Sequence, residues 1–209
     1  MKRQAKRQYE SGAMDTVKTF KKNTYPFEEG AEVAERLTGF FGDLSGLCAA
    51  DLGAGPGSTA VGSQVFDIPW RRLISVEAFS PYVEELRKRD VRTGEHEIVH
   101  RNIEDIFGEF KAGEIDLALI FDVIEHFPRR KALGLLRRLE SFLALGVAIF
   151  VPLGRVKQDA YDGNSLQRHR SSWKAEDFVR LGYSVTVYEG MHGDLDPPVD
   201  GAWALKRWG

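Results

Sequence analysis

The stretch Asp51-Leu52-Gly53-Ala54-Gly55-Pro56-Gly57-Ser58-Thr59 decides how the rest of the chain is read. It continues a short apolar run, Leu47–Asp51, which predicts a buried strand, and it places three glycines at alternate positions. Glycine has no Cβ and reaches positive φ without penalty, so such a loop brings bare backbone close to a ligand. Amides at the start of a following helix would then face a carboxylate or phosphate. A dinucleotide-binding fingerprint needs its third glycine three residues after the second, but position 58 is Ser58 and the third glycine is Gly57. That spacing disfavours a nicotinamide-dependent oxidoreductase.

Outward from this loop, strands alternate with helices. Leu73–Glu77 predicts a second strand, again ending at an acid. Ser80-Pro81 then supplies an N-cap and a proline at the first helical position, which predicts a helix to about Arg89. Glu97–His100, Ile115–Phe121 and Val147–Val151 predict three more strands, the last closed by Pro152. Pro128 opens a helix with a core face of Leu133, Leu136, Leu139 and Leu143. Upstream of the loop, Val33, Leu37 and Phe40/Phe41 draw a helical stripe between Glu28 and Phe41. Trp173–Leu181 predicts a last helix, with Trp173 in the core and Gly182 as the stop. Tyr183–Tyr188 and Ala202–Trp208 lack a long helix between them and predict a hairpin. The expected architecture is α/β and doubly wound, with a mainly parallel seven-stranded sheet and an antiparallel C-terminal strand. One domain spans residues 25–209, preceded by a polar segment, residues 1–24.

Composition agrees with a packed domain. Of 209 residues, 43% are hydrophobic and 29% charged, which excludes wholesale disorder. Lysine and arginine number 29 against 31 acids, a net charge of −2, so nucleic-acid binding driven by bulk charge is not expected. The one cysteine, Cys48, excludes an intrachain disulfide framework and a multi-thiolate metal site. The longest apolar run, Phe142 to Leu153, is well short of the roughly 18–20 residues of a membrane span. Lys2, Arg3, Lys6 and Arg7 are not followed by an apolar segment, so no secretory signal is read and a cytoplasmic location is expected.

The acid-x-Gly-x-Gly-x-Gly pattern resembles motif I of the class I S-adenosylmethionine (SAM) dependent methyltransferases. The resemblance implies that Asp51, Gly53, Gly55 and Gly57 hold the amino-acid end of SAM, with Asp51 on its ammonium group. Glu77, 24 positions after Gly53, falls near the roughly 20-residue offset at which a carboxylate grips ribose hydroxyls. Asn102-Ile103 is similar to the segment of that family that recognises adenine, through a polar side chain and a backbone amide. Phe121-Asp122-Val123-Ile124-Glu125-His126-Phe127-Pro128 resembles its motif IV region, especially in the ubiquinone and menaquinone methyltransferase branch. Ala54, Ala78, Phe121 and Asp122 complete the implied cofactor set. SAM is the implied cofactor and S-adenosylhomocysteine (SAH) the product.

Methyl transfer from a sulfonium is an in-line displacement, and an acceptor oxygen or nitrogen that must lose a proton benefits from a base, worth ~10²–10⁴-fold. His126 and His169 are the candidate bases, since histidine titrates near working pH. The polar segment 153–172 is too long for a connector and is expected to form an acceptor-site lid. Its cations Arg155, Lys157, Arg168 and Arg170 suggest a small-molecule acceptor carrying phosphate or carboxylate. A monomer or homodimer is expected, and no metal is assigned. Two alternatives are weighed. Asp122-x-x-Glu125-His126 with a later His169 is similar to the metal-binding pattern of small-RNA 2′-O-methyltransferases, and a SAM-binding protein without turnover is the other.

Overall fold

The computed structural model describes residues 17–20, 32–192 and 198–208. A single sheet organises them. Its strands are β1 (Lys18–Phe20), β2 (Cys48–Leu52), β3 (Arg72–Glu77), β4 (His96–His100), β5 (Leu117–Phe121), β6 (Gly146–Pro152), β7 (Ser184–His192) and β8 (Val199–Arg207). They lie in the order β1-β7-β8-β6-β5-β2-β3-β4. All neighbours are parallel except β8, which runs antiparallel to both β6 and β7. The expected hairpin and the antiparallel strand are therefore present.

Seven strands were expected and eight form among the described residues. The additional one, β1, pairs through Lys18, Thr19 and Phe20 with the free edge of β7. Three residues carry too little alternation to announce a strand, and the pairing is supplied by the edge they meet. The rest of the expected 1–24 segment up to residue 16, and residues 21–24, lie outside the described residues.

Every residue of β2, β5 and β6 is buried, as in a parallel sheet covered on both faces. Alternate side chains enter opposite cores. Cys48, Ala50, Leu52, Ile120 and Ile149 pack under Leu135, Leu136 and Leu139 of α4 (Arg129–Phe142) and Phe178 of α5 (Ala175–Arg180). Ala49, Leu117, Leu119 and Phe150 face Val33, Leu37 and Phe41 of α1 (Glu32–Phe41) together with Val65 and Phe66. Burying each large aliphatic side chain contributes about 1.5–3 kcal/mol, so these two layers dominate the fold. Trp173 is fully buried and stacks on Phe178 at 5.1 Å, as expected of a core residue.

The helix expected directly after the glycine loop is replaced by a 3₁₀ helix, Gly62–Asp67. Pro56, Gly57 and Gly62 are poor helix formers, and the Thr59 hydroxyl accepts the Gly62 amide at 3.0 Å, which holds the tight turn. The helices α2 (Ser80–Leu86) and α3 (Ile106–Glu109) complete the set in chain order. From β2 the chain winds outward to β3 and β4, then returns to β5 on the other side of β2. The loops after β2 and β5 diverge at this reversal, where ligands bind in such sheets.

Candidate active site

The loop after β2 is stitched to the neighbouring strand. Gly53 and Ala54 donate their amides to the Val76 carbonyl at 2.8 and 3.1 Å. Gly53, Gly55 and Gly57 all have positive φ, of 80°, 60° and 67°. Two of them also lack room for a side chain. A Cβ on Gly53 would stand 2.8 Å from Cγ2 of Val123, and one on Gly57 would stand 2.9 Å from the Phe66 ring. Gly55 has open space around it. Spacing alone showed that bare backbone was needed; the structure shows that Val123, from the loop after β5, sets the closest approach.

Glu77 ends β3 beside this loop and is 6% exposed. Its carboxylate accepts the Gly55 amide at 2.9 Å and the Phe79 amide at 2.7 Å. The two places on which the cofactor reading rests are thus in direct contact. In front of them lies a cavity of about 310 Å³. Gly53, Glu77, Ala78, Asn102, Ile103 and Asp122 line it, and so does His126. Asp51, Ala54, Gly55, Gly57 and Phe121 are not on its wall. Phe121 turns its ring edge-on to Trp203 at 5.0 Å, in the core on the α1 side.

Asp51 is buried, and its Oδ2 has no hydrogen-bond partner among the described residues. Burial, reinforced by the charge of Glu77, pushes its carboxyl up to about 7. A buried carboxylate oxygen without a partner is costly, and a ligand ammonium would satisfy it. The bare Gly53 backbone, the accepting Glu77 and the unpartnered Asp51 oxygen fit the amino-acid and ribose parts of SAM.

The loop after β5 brings the remaining candidates together. Asp122 adopts φ of 53°, rare for a residue with a Cβ, and burial pushes its carboxyl up to about 7. Glu125 is 2% exposed, and burial together with the Asp122 charge holds its carboxyl well above the usual range. Burial, then the neighbouring His169, pushes His126 down to about 4. His169 is also lowered by burial, and its Nδ1 lies 3.0 Å from the Val156 carbonyl. The two rings are 4.9 Å apart, so residues 43 positions apart in sequence form one pair. Glu125, His126 and His169 each offer an atom within 4.8 Å of the others, and among the described residues Glu125 Oε2 and His126 Nδ1 have no hydrogen-bond partner. That donor set fits a divalent ion held by two imidazoles and a carboxylate.

The segment 153–172 folds back over this loop. Arg170 and Ser171 donate their amides to the Glu125 carbonyl at 2.8 and 3.0 Å. The Tyr82 hydroxyl of α2 reaches Asp162 at 3.2 Å. Asn164, buried, and Leu166, Gln167 and Arg170 form part of the cavity wall. Lys131 of α4 does too. None of these was assigned to the cofactor site from sequence. Asn164 had a signal, since its Oδ1 caps the turn Ser165–Gln167 by accepting the Leu166 amide at 3.0 Å, but nothing local showed where that turn would land.

Comparisons with known proteins agree with this geometry. Residues 50–141 match a family model described as a methyltransferase domain. No curated protein matches the chain. Among solved structures, a SAM-dependent methyltransferase from Leishmania major superposes with a TM-score of 0.60 at 14% identity, covering 84% of this chain and 70% of that one. Magnesium protoporphyrin IX methyltransferase from Synechocystis, with bound SAH, gives 0.56 at 13% identity, covering 85% and 81%. A 1,6-didemethyltoxoflavin N1-methyltransferase from Burkholderia thailandensis gives 0.56 at 14% identity, covering 86% and 77%. The likenesses to solved structures show the fold, and residues 50–141 are similar to the methyltransferase domain that the family model describes.

Proposed function

We propose that the protein moves the sulfonium methyl group of SAM to an oxygen or nitrogen of a small-molecule acceptor bearing phosphate or carboxylate, releasing SAH. The contact between the Gly55 amide and the Glu77 carboxylate, with Glu77 lining a cavity of about 310 Å³, carries this reading. Glu77 accepts the ribose hydroxyls, Asp51 faces the ammonium, and Asn102 and Ile103 meet adenine. Holding donor carbon and acceptor atom collinear supplies most of the rate, because the displacement needs proximity above all. His126 or His169 takes the acceptor proton; burial keeps both imidazoles neutral at neutral pH, as a base must be.

One observation favours a second reading, metal-assisted methylation of an RNA 2′-hydroxyl: the unpartnered donor atoms of Glu125 and His126 beside His169. These three residues would hold a divalent ion, which when bound lowers the pKa of an acceptor hydroxyl.

Unfolding with and without SAH, followed by labelled methyl transfer from SAM to fractionated cell extract, tests both. A ligand at 100 times its Kd adds about 2.7 kcal/mol to stability. The first reading predicts that stabilisation, and label in the small-molecule fraction that survives a chelator. Label confined to RNA and lost with chelator establishes the second. Stabilisation without transfer marks a non-catalytic SAM-binding protein, and no stabilisation by SAH or SAM overturns all three.

A further inference from the structure

A second cleft, of about 380 Å³, opens between residues 155–159 and 168–172, with His169 of the histidine pair on its wall. Its two banks are pinned to each other. His169 donates its amide to the Gln158 carbonyl at 3.0 Å, and Gln158 Nε2 donates to the Gln167 carbonyl at 2.8 Å. The His169 ring nitrogen Nδ1 lies 3.0 Å from the Val156 carbonyl. Tying Val156 to His169 brings the flanking residues of both, Arg155 and Lys157 on one bank and Arg168 and Arg170 on the other, around one opening. Asp159 offsets only Arg168, at 3.5 Å. Arg155, Lys157 and Arg170 form no ion pair among the described residues.

We propose that this cleft binds a diphosphate group, which anchors the methyl acceptor. A carboxylate brings one negative charge and a phosphate monoester no more than about two. Three uncompensated cations call for more. At roughly 30 Å³ per water the cleft holds about a dozen waters, far more than one carboxylate displaces. Guanidinium forks and a lysine ammonium on opposite banks suit two adjacent phosphoryl groups, bidentately from the arginines. The cleft also stands in the right place. His169 lines it, His126 lines the cofactor cavity, their rings are 4.9 Å apart, and Arg170 belongs to both walls. An acceptor held by its diphosphate at Arg155, Lys157 and Arg170 presents its reacting atom at the histidine pair. The anchoring role rests on the methyl-transfer reading; the anion site itself does not.

The test is calorimetric titration of the full chain, free and SAH-loaded, with inorganic pyrophosphate, orthophosphate and sulfate at constant ionic strength. Pyrophosphate is expected to bind one to one and at least tenfold more tightly than the other two. The exposed double substitution Arg155→Gln/Lys157→Gln is expected to weaken it tenfold or more while SAH affinity stays unchanged. Pyrophosphate binding no tighter than sulfate, or unaffected by the double substitution, overturns the proposal. A short RNA oligonucleotide that outcompetes pyrophosphate overturns it in favour of a nucleic-acid site. SAH titrated on the same sample separates the two levels. Tight pyrophosphate binding without SAH binding removes the methyl-transfer reading and leaves the anion site standing.

Discussion

The Glu77 carboxylate accepts the Gly55 amide at 2.9 Å, so the end of β3 and the glycine loop after β2 form one continuous polar edge. Each carboxylate oxygen accepts a single backbone amide, from Gly55 and Phe79, and keeps a lone pair for a ribose hydroxyl. Hydrogen bonds to a charged group contribute about 1.5–3 kcal/mol each. Glu77→Ala removes two such bonds and should therefore raise the Kd for SAH by roughly 10²–10⁴-fold, with the far-ultraviolet circular dichroism unchanged. Calorimetry checks this, and unchanged affinity places the ribose elsewhere.

The three loop glycines should not be equivalent. Gly53→Ala forces a Cβ to within 2.8 Å of Val123 and keeps a positive φ, whereas Gly55→Ala meets nothing within 4 Å. Holding an alanine at positive φ costs about 1–2 kcal/mol, and the clash at Gly53 adds an overpacking cost of about 1–3 kcal/mol. Thermal unfolding should rank the variants wild type, Gly55→Ala, Gly53→Ala in falling stability. Equal melting temperatures for the two variants would show that Val123 yields freely.

Asp51 should make cofactor binding depend on pH. Its folded carboxyl titrates at about 7 in the free protein, through burial and the Glu77 charge. A ligand ammonium favours the ionised form, so binding releases a proton below that value. The Kd for SAH should rise as pH falls from 7, approaching tenfold per unit. For stability the sign is opposite. With the folded pKa raised above the ordinary 3.8, the group's contribution is full below that value and is lost as pH rises toward 7. Asp51→Asn should thus raise the melting temperature of the free protein at pH 8, weaken SAH binding and flatten its pH dependence. Calorimetry at pH 6, 7 and 8 reads all but the first, and a flat wild-type profile contradicts the assignment.

The histidine pair separates chemistry from binding. His169→Ala should lower kcat by roughly a hundredfold or more, in the range of a lost general base, while leaving the Kd for SAH within a fewfold. Because His126 is pushed down to about 4, it stays neutral at pH 6. If His126 is the base, kcat at saturating SAM should hold from pH 8 to pH 6; a fall centred near 6.5 excludes it.

Most of the sheet is legible in the sequence because its central strands are short, largely apolar runs, several of which end at acids or proline. Asp51, Glu77 and Pro152 end three of them, within a residue of the observed limits. The site is legible where it rests on local chemistry, as at Gly53 and Glu77. It is opaque where tertiary packing sets it. Val123 reads as an ordinary core valine, yet it decides how close the loop can approach. Asn164 and Arg170 sit in a polar stretch with no period, and long-range bonds, from the Arg170 and Ser171 amides to Glu125 and from Tyr82 to Asp162, bring that stretch over the cavity. The 3₁₀ helix at Gly62–Asp67 took the place of an expected helix because a glycine and proline run cannot support one, a cue that the fold-level pattern masked. Strand β1 is invisible without its partner, since Lys18–Phe20 gains its geometry from the edge of β7.

A crystal structure of the chain with SAH would show whether Glu77 and the glycine loop clasp a nucleoside. The nucleoside should lie in the cavity between Gly53 and Asn102, with both ribose hydroxyls within hydrogen-bond distance of Glu77 and the sulfur facing His126. SAH bound elsewhere, or turned so that Glu77 meets no hydroxyl, would contradict that placement.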